Sequence, residues 1–273
     1  MKKTVRLAIV GIPVISRPTQ AWRERATFKV RGEKPKVSKD KLFECFSPRA
    51  TDWLRRELVS CLKESPALLQ RDIAAEVTDL GEVMLEPEET FEGRFGLNEE
   101  ELVGLAHEFA TACKGFDAVF AAGGDHAGGL VFYGLPGRVA RFDQHSDACG
   151  EPLSCGTGEV SRNNYVCAAI RNGLKAAEEI TGLGVREGEA PYALEQSVNS
   201  ADLIDVDIDV FDEKHGFTAE YNKGRLSPDD VVGTIRKCRP RAVGFFEAAK
   251  GDFRAAGLAV QLAEELVAAA ARR

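Results

Sequence analysis

Apolar runs of strand length alternate along this chain with amphipathic runs of helical length. The apolar runs predict strands at Val5–Val10, Ala74–Val77, Phe116–Ala122, Arg138–Asp143, Gly182–Val185, Asp202–Asp209 and Ala242–Phe246. The helical patterns between them cover Pro48–Lys63, Asn98–Lys114, Asn163–Leu174, a segment that starts at Pro228, and Ala255–Ala271. Since the alternation shows no internal repeat and no break in composition, it predicts a single α/β domain over residues 1–273 with a mainly parallel sheet.

One polar segment interrupts this alternation near the start of the chain. Residues 17–45 are rich in Lys and Arg and have no helical or strand periodicity. They predict an insertion or loop that is exposed to solvent, with a lid or a subunit contact as the alternative.

Charge and hydropathy exclude several classes of protein. The 273 residues include 36 Lys and Arg against 43 Asp and Glu, which gives a net charge of −7 that repels nucleic acid and anionic membranes. No apolar stretch approaches the roughly 18 residues of a membrane span. The apolar run Leu7–Ile15 is interrupted by Gly11 and Pro13, so it predicts a first strand and not a signal peptide. We therefore expect neither a nucleic-acid partner nor a membrane partner.

The cysteines favour a reducing compartment. Seven cysteines at irregular spacing, with no Cys-x-x-Cys pair, do not fit a disulfide framework or a structural zinc site. We expect reduced thiols and a cytoplasmic location. Cys149 and Cys155 follow a candidate site closely, and we expect them to be ordinary unreactive thiols.

Residues of the type that bind metals follow three of the predicted strands. The three segments are Gly123-Gly124-Asp125-His126, Asp143-Gln144-His145-Ser146-Asp147, and Asp205-Val206-Asp207-Ile208-Asp209 with Asp212 behind it. The two glycines would allow a sharp turn that presents His126. Because ligands of open α/β sheets gather at the carboxyl ends of strands, we expect these three segments to meet.

Such a density of carboxylates requires positive charge when it is buried. Two histidines with several aspartates form a nitrogen and oxygen ligand set that suits Mn²⁺, Zn²⁺ or Fe²⁺. Six candidate ligands exceed the four positions of one tetrahedral ion, which points to two ions that share carboxylates. A pair of ions of this kind lowers the pKa of a water and makes it a nucleophile at neutral pH.

The three segments, in this order, resemble the three signatures of the arginase/agmatinase (ureohydrolase) family. Ser47-Pro48-Arg49-Ala50 also resembles an early segment of that family. The resemblance implies a three-layer arginase-like fold with a mainly parallel central sheet of about eight strands. It also implies a homo-oligomer, either a trimer or a hexamer.

The same resemblance implies two Mn²⁺ ions per chain and a ligand set for each. One ion would take His126, Asp143, Asp147 and Asp207, and the other would take Asp143, His145, Asp207 and Asp209. Asp143 and Asp207 would then bridge the two ions.

The implied reaction is the hydrolysis of a C–N bond in a small cationic guanidino, amidino or formimino compound. Asp209 would accept a hydrogen bond from the nucleophile besides binding metal. Glu247, after the last strand, matches the glutamate that meets the cationic group of the substrate. An ion pair of Glu247 with Lys250 or Arg254 is the purely structural alternative.

The chain departs from the family pattern at four points. Gln144 stands where alanine is usual, Glu213 stands in place of a proline, and the interval from His126 to Asp143 is short. The Ser-His-Gly segment of the family, whose histidine moves protons, corresponds to Ser161-Arg162-Asn163. We expect His215 to be a substitute proton shuttle, Glu159 to meet a cation and Arg162 to meet an acid group of the substrate.

Two other functions remain open from the sequence. A mononuclear amide deacetylase would use a related fold, although the second histidine and the paired aspartates argue against it. A metal-binding homologue without hydrolase activity would explain the missing histidine, although the six candidate ligands argue against that.

Overall fold

A parallel sheet forms the centre of the protein. The computed structural model describes residues 2–14, 48–83, 97–148, 159–160, 162–186, 190–219 and 224–273. The strands in this part of the chain are β1 (Lys3–Ile12), β2 (Ile73–Glu82), β3 (Leu97–Asn98), β4 (Ala118–Gly123), β5 (Val139–Phe142), β6 (Glu159–Val160), β7 (Ile180–Leu183), β8 (Ala193–Glu195), β9 (Leu203–Asp207) and β10 (Ala242–Phe246). Eight of them form one sheet in the order β2-β1-β4-β10-β9-β5-β7-β8, with every neighbouring pair parallel. The short strands β3 and β6 form a separate antiparallel pair.

Helices cover both faces of this sheet. They are α1 (Pro48–Lys63), α2 (Pro66–Leu69), α3 (Glu99–Ala112), α4 (Gly129–Phe132), α5 (Tyr165–Arg171), α6 (Pro228–Cys238) and α7 (Phe253–Ala271). One apolar core includes side chains of α1, α6 and α7, and a second core includes side chains of α3, α4 and α5. The sheet lies between these two cores, so the predicted three-layer fold with eight parallel strands is confirmed.

The central strands are apolar on both sides because both faces are covered. In β4, Phe120 belongs to one core and Val119 to the other, and both side chains are fully buried. The same alternation places Asp205 and Asp207 of β9 on the face of the second core, where Leu203 also lies. An apolar pattern of this kind fixes which face of the sheet carries the polar residues.

Several predicted boundaries agree with the structure, and others differ for a physical reason. The bounds of α1 and β10 are those predicted, and Asn98 caps α3 by accepting a hydrogen bond from the Glu100 N–H at 2.8 Å. The strand β2 is longer than predicted, and β8 was not predicted. Both lie at an edge of the sheet, where half-exposed residues weaken the apolar pattern; all three residues of β8 are exposed.

Two elements end early beside the candidate site. β5 ends at Phe142 and β9 ends at Asp207, where a turn of 3₁₀ helix, Ile208–Val210, follows. The alternation of side chains predicted from Asp143 to Asp147 therefore does not continue as a strand. The predicted loop 17–45 lies outside the described residues. In the described part of the chain, no helix has both the length and the apolar character needed to cross a membrane.

Gly123 is required by close packing and not by a sharp turn. Neither Gly123 nor Gly124 has a positive φ, which corrects the expectation from the sequence. A Cβ atom on Gly123 would lie 1.9 Å from Cδ1 of Phe246. The Phe246 ring in turn stacks on the His126 imidazole, with ring centroids 5.0 Å apart. The glycine thus lets the aromatic ring support the histidine.

We expect Gly123→Ala to destabilise the protein, because the fully buried Phe246 ring has to shift. Overpacking of this kind lowers the free energy of unfolding by about 1–3 kcal/mol, which denaturant unfolding would measure. Gly104→Ala in α3 is the matched control, since a Cβ atom there would have no neighbouring atom within 4 Å and alanine favours a helix by up to about 1 kcal/mol. Equal stability of Gly123→Ala and wild type would contradict the packing role.

Candidate metal centre

The candidate ligands follow neighbouring strands at the centre of the sheet. β4, β10, β9 and β5 are consecutive in the sheet, and their carboxyl ends lead into His126, Glu247, Asp209 and Asp143. This edge is where ligands of open α/β sheets are usually bound. The parallel arrangement therefore brings together segments that lie far apart in the chain.

One group of possible ligands surrounds the Nδ1 atom of His126. The Oδ2 atoms of Asp143 and Asp207 both lie 2.9 Å from it, and Oδ2 of Asp147 lies at 3.4 Å. His126, Asp143 and Asp207 are buried and offer three ligand atoms close enough to share one ion. Nδ1 of His126 is buried and has no hydrogen-bond partner among the described residues.

A second group of possible ligands shares Asp143 with the first. It consists of Asp143, His145 and Asp209. His145 Nδ1 lies 2.9 Å from Oδ2 of Asp209 and 3.6 Å from Oδ1 of Asp143. The structure thus brings five of the six predicted ligands into two groups. Asp207 belongs to the first group alone, and Asp147 belongs to neither.

Asp205 orients the His126 ring. Its Oδ1 atom lies 3.0 Å from His126 Nε2, and its Oδ2 atom accepts hydrogen bonds from the hydroxyls of Tyr133 at 2.9 Å and Tyr165 at 3.0 Å. A histidine that binds metal through one nitrogen commonly donates the other N–H to a carboxylate. The arrangement at His126 has this form, so its donor set fits a divalent cation. The signal in the sequence was the spacing of two between Asp205 and Asp207 in a buried strand.

Arg141 is the site residue that sequence reasoning missed. Its side chain is fully buried near the end of β5, on the face of the second core, where its partners Tyr165 and Tyr192 also lie. The guanidinium donates hydrogen bonds to the carboxylates of Asp143 and Asp147, and to the backbone oxygen of His145. A single charged residue in an otherwise apolar four-residue strand was the available signal.

A cavity of about 230 Å³ opens beside the two groups. Its walls are formed by His145, Asp147, Arg162, Asn163, Asp207, Asp209 and Glu247. Nη1 of Arg162 lies 3.7 Å from Oε1 of Glu247, which is 3% exposed. The ion pair shown for Glu247 is therefore with Arg162, in place of the pair with Lys250 or Arg254 that the sequence offered as the structural alternative.

Two residues of the cavity wall have an unusual backbone conformation. Asp147 has a φ of 47° and Glu247 a φ of 61°, a region that non-glycine residues seldom occupy. The N–H of Glu247 donates to the Gly124 oxygen at 2.8 Å, which ties the end of β10 to the turn after β4. Backbone strain of this kind concentrates at functional sites.

Within the residues that it describes, the structure does not place the remaining predicted site residues in the wall of the cavity. His215 stacks on Phe217, with centroids 6.3 Å apart, and is not among the described residues that line the cavity. Glu159 pairs with Asn98 through β6. Cys149 and Cys155 lie outside the described residues. The predicted roles of His215 and Glu159 stay predictions.

Comparisons with known proteins were made by sequence and by structure. No protein-family model matches the chain, and no curated protein sequence matches it. Among solved structures, a hypothetical agmatinase from Burkholderia thailandensis matches with a TM-score of 0.67 at 15% identity, covering 98% of this chain and 87% of that one. Proclavaminate amidino hydrolase from Streptomyces clavuligerus matches with 0.66 at 16%, covering 98% and 92%. Arginase from Bacillus caldovelox matches with 0.65 at 14%, covering 96% and 98%.

The chain has the arginase/agmatinase fold. The resemblance that the three motifs predicted is thereby confirmed in three dimensions. Within this arginase fold, α4 is a single turn of four residues, in agreement with the short interval between His126 and Asp143. Gln144, which replaces the usual alanine, donates from Nε2 to Oδ2 of Asp209 at 3.2 Å. The departure at Gln144 therefore adds a hydrogen bond to a candidate ligand.

Electrostatics at this arginase-like site favour a bound cation. Burial raises the pKa of Asp207 to about 7 and that of Asp209 to about 6, and the neighbouring carboxylates add to both shifts. Burial would lower the pKa of His145, but its contacts with Asp143 and Asp209 raise it to about 12. Burial acts against ionisation of Asp143 as well, yet the Arg141 guanidinium and the two histidines hold its pKa below the usual range. The cluster thus carries more carboxylate charge than its own residues neutralise.

These shifts predict how stability depends on pH when metal is removed. The folded protein without metal binds more protons than the unfolded chain, at Asp207 between about pH 4 and pH 7 and at His145 above about pH 6.5. Its stability therefore falls as the pH rises. We expect the melting temperature of chelated protein to be lower at pH 8 than at pH 5.5. Since Mn²⁺ competes with these protons, its addition should raise the melting temperature more at pH 8. A larger effect of Mn²⁺ at pH 5.5 would contradict this assignment.

Proposed function

We propose that the protein is a metal-dependent hydrolase that cleaves a C–N bond of a guanidino, amidino or formimino compound. The observation that supports this most directly is the pair of ligand groups sharing Asp143, beside a cavity that contains Glu247. The solved structures of similar fold include the amidino hydrolase and agmatinase above, and a formiminoglutamase variant from Trypanosoma cruzi solved with Mn²⁺. That range of compounds defines the proposed substrate class.

Two Mn²⁺ ions are proposed as the cofactor. His126, Asp143 and Asp207 would hold one ion, and Asp143, His145 and Asp209 would hold the other. Bound divalent ions of this kind supply a water of lowered pKa as the nucleophile. Because both groups contain Asp143, the arrangement supports two ions over the single ion of an amide deacetylase.

Glu247 and Arg162 are proposed to recognise the two ends of the substrate. The Glu247 carboxylate would accept hydrogen bonds from the cationic amidino group, which planar N–H donors match well. Arg162, whose Nη1 lies 3.7 Å from Glu247, would bind an acid group on the same molecule. A zwitterionic substrate would then replace the ion pair between Arg162 and Glu247 with two new ion pairs, one between its amidino group and Glu247 and one between its acid group and Arg162. The amidino compound that carries a carboxylate is therefore the favoured substrate.

Asp209 is proposed to orient the nucleophile. Its Oδ2 atom accepts a hydrogen bond from Gln144 Nε2 at 3.2 Å and lies 2.9 Å from His145 Nδ1, so both neighbours fix the position of the carboxylate. A carboxylate held in this way can accept a hydrogen bond from the attacking water. His215 is kept as the proposed proton shuttle, and a homo-oligomer, a trimer or a hexamer, is the proposed assembly.

We expect Glu247→Gln to retain metal and lose activity. The amide is nearly isosteric but lacks the charge that meets the cationic group, so kcat/KM should fall by one to several orders of magnitude, at about 1.4 kcal/mol per tenfold. Steady-state kinetics and metal analysis of the same preparation measure both effects.

Glu265→Gln is the matched control for this variant. Glu265 is a buried carboxylate that pairs with Arg71 and Arg236, both at 2.8 Å, and it does not line the cavity. Its replacement should lower the melting temperature and leave the kinetics unchanged. If Glu247→Gln behaved in the same way, Glu247 would be a structural partner of Arg162 only.

A panel of amidino compounds tests the proposed function itself. Protein reconstituted with Mn²⁺ should release urea, ammonia or a carboxamide from at least one guanidino, amidino or formimino compound with an acid group. Agmatine has no acid group for Arg162 to bind, and arginine carries a second cation, its α-ammonium group, beside its acid group. Both should therefore be poor substrates, well below the enzyme median of about 10 s⁻¹. Full Mn²⁺ loading without turnover of any compound would favour the alternative, a metal-binding homologue without hydrolase activity.

A further inference from the structure

Arg141 uses all of its hydrogen-bonding capacity inside the candidate metal centre. Its Nε donates to the Tyr165 hydroxyl at 2.9 Å, and its Nη1 donates to the His145 oxygen at 2.6 Å and the Tyr192 hydroxyl at 3.1 Å. Nη2 donates to Oδ2 of Asp143 and to Oδ2 of Asp147, the latter at 2.6 Å. A guanidinium has five N–H donors, so none remains without a partner.

The position of this guanidinium matters because two of its partners are candidate metal ligands. Asp147 accepts a hydrogen bond of 2.6 Å from Arg141, and its Oδ2 atom lies 3.4 Å from His126 Nδ1. The Oδ2 atoms of Asp143 and Asp207 are closer to that nitrogen, both at 2.9 Å. Asp147 is also the one predicted ligand that neither group contains. The contacts of Asp147 are thus those of a counter-ion to Arg141.

We propose that Arg141 is a permanent cation of the metal centre, which takes Asp147 as its own partner and opposes the ion bound at His126. That ion is then held by His126, Asp143 and Asp207, without the fourth ligand that the family resemblance implies. The proposal rests on metal binding as put forward under the proposed function. Arg141 touches neither substrate nor reacting atoms in this account, so it is a positioning residue.

Physical reasons support opposition between Arg141 and the ion. Arg141 and His126 approach the same oxygen, Oδ2 of Asp143, so an ion at His126 would lie close to the guanidinium in a buried environment. Like charges repel strongly where water cannot screen them. Coupling between two sites is reciprocal. If Arg141 weakens the binding of the ion, the bound ion in turn reduces the contribution of Arg141 to the stability of the folded protein.

The first experiment compares Asp147→Asn with Asp207→Asn. Mn²⁺ titrations followed by metal analysis and electron paramagnetic resonance give the stoichiometry and the affinity of each variant, without any substrate. We expect Asp147→Asn to keep the wild-type stoichiometry and to lose no more than about 100-fold in affinity, as expected for a residue outside the ligand set. Asp207→Asn should lose the ion at His126. Equal losses in the two variants would overturn the proposal.

The second experiment replaces the cation. In chelated protein, Arg141→Met leaves Asp143 and Asp147 buried without their counter-ion, so the melting temperature should fall steeply. In Mn²⁺-loaded protein the fall should be smaller, and Mn²⁺ should bind the variant at least about tenfold more tightly than wild type, a change of about 1.4 kcal/mol. A purely structural arginine would lower both melting temperatures equally, and that result, or weaker Mn²⁺ binding, would contradict the proposal.

Arg141→Lys is the matched control, because it keeps the charge and loses the planar fork. Its Mn²⁺ affinity should stay near that of wild type. If Arg141→Met does not fold, the comparison of Asp147→Asn with Asp207→Asn decides alone. Failure of wild-type protein to bind Mn²⁺ would refute the proposed function, whereas normal Mn²⁺ binding with equal losses in the two aspartate variants would refute the role of Arg141 only.

Discussion

The burial of carboxylates at the carboxyl edge of a parallel sheet is the constraint on which the rest of this structure depends. Asp143, Asp205, Asp207 and Asp209 are all at most 3% exposed and lie within a few side chains of one another. Burying such groups is unfavourable unless each is hydrogen-bonded or compensated by positive charge. The surrounding residues meet this need in two ways: through hydrogen bonds from tyrosine and amide groups, and through the positive charge of Arg141 and the histidines.

The fold could be predicted from the sequence to a large extent because its signals are local. The run Ala242–Phe246 is apolar along its whole length and predicts a buried strand. The segment Pro48–Lys63 has leucines four residues apart and predicts a helix. The rule that parallel strands present ligands at one edge then brings His126 near Asp143 without further information. Among the eight strands of the central sheet, the edge strand β8, short and exposed, is the one that lacked such a signal.

The clustering of the candidate ligands could be expected from the sequence, but the presence of Arg141 and the pairing within the cluster could not. The spacing of Asp143, His145 and Asp147 suggested three equivalent side chains, but β5 ends at Phe142 and the backbone of Asp147 turns to a positive φ. Asp147 consequently meets Arg141, a contact that depends on a backbone turn that residue spacing does not report. Arg162 and Glu247 are likewise brought together only by the arrangement of β10 and the turn that precedes α5.

In the described part of the chain, three buried tyrosines connect this charged centre to elements of the second core. Tyr133 follows α4, Tyr165 begins α5, and Tyr192 precedes β8, and each hydroxyl bonds to Asp205 or Arg141. The helices α4 and α5 therefore cannot separate from the sheet without breaking hydrogen bonds to the buried charged side chains of Asp205 and Arg141. Local unfolding of α4 and α5 would thus be cooperative with loss of order at the ends of β5 and β9. Amide protons of these four elements would exchange with solvent as one unit, so the chemistry of the site would also set the dynamics of the layer above it.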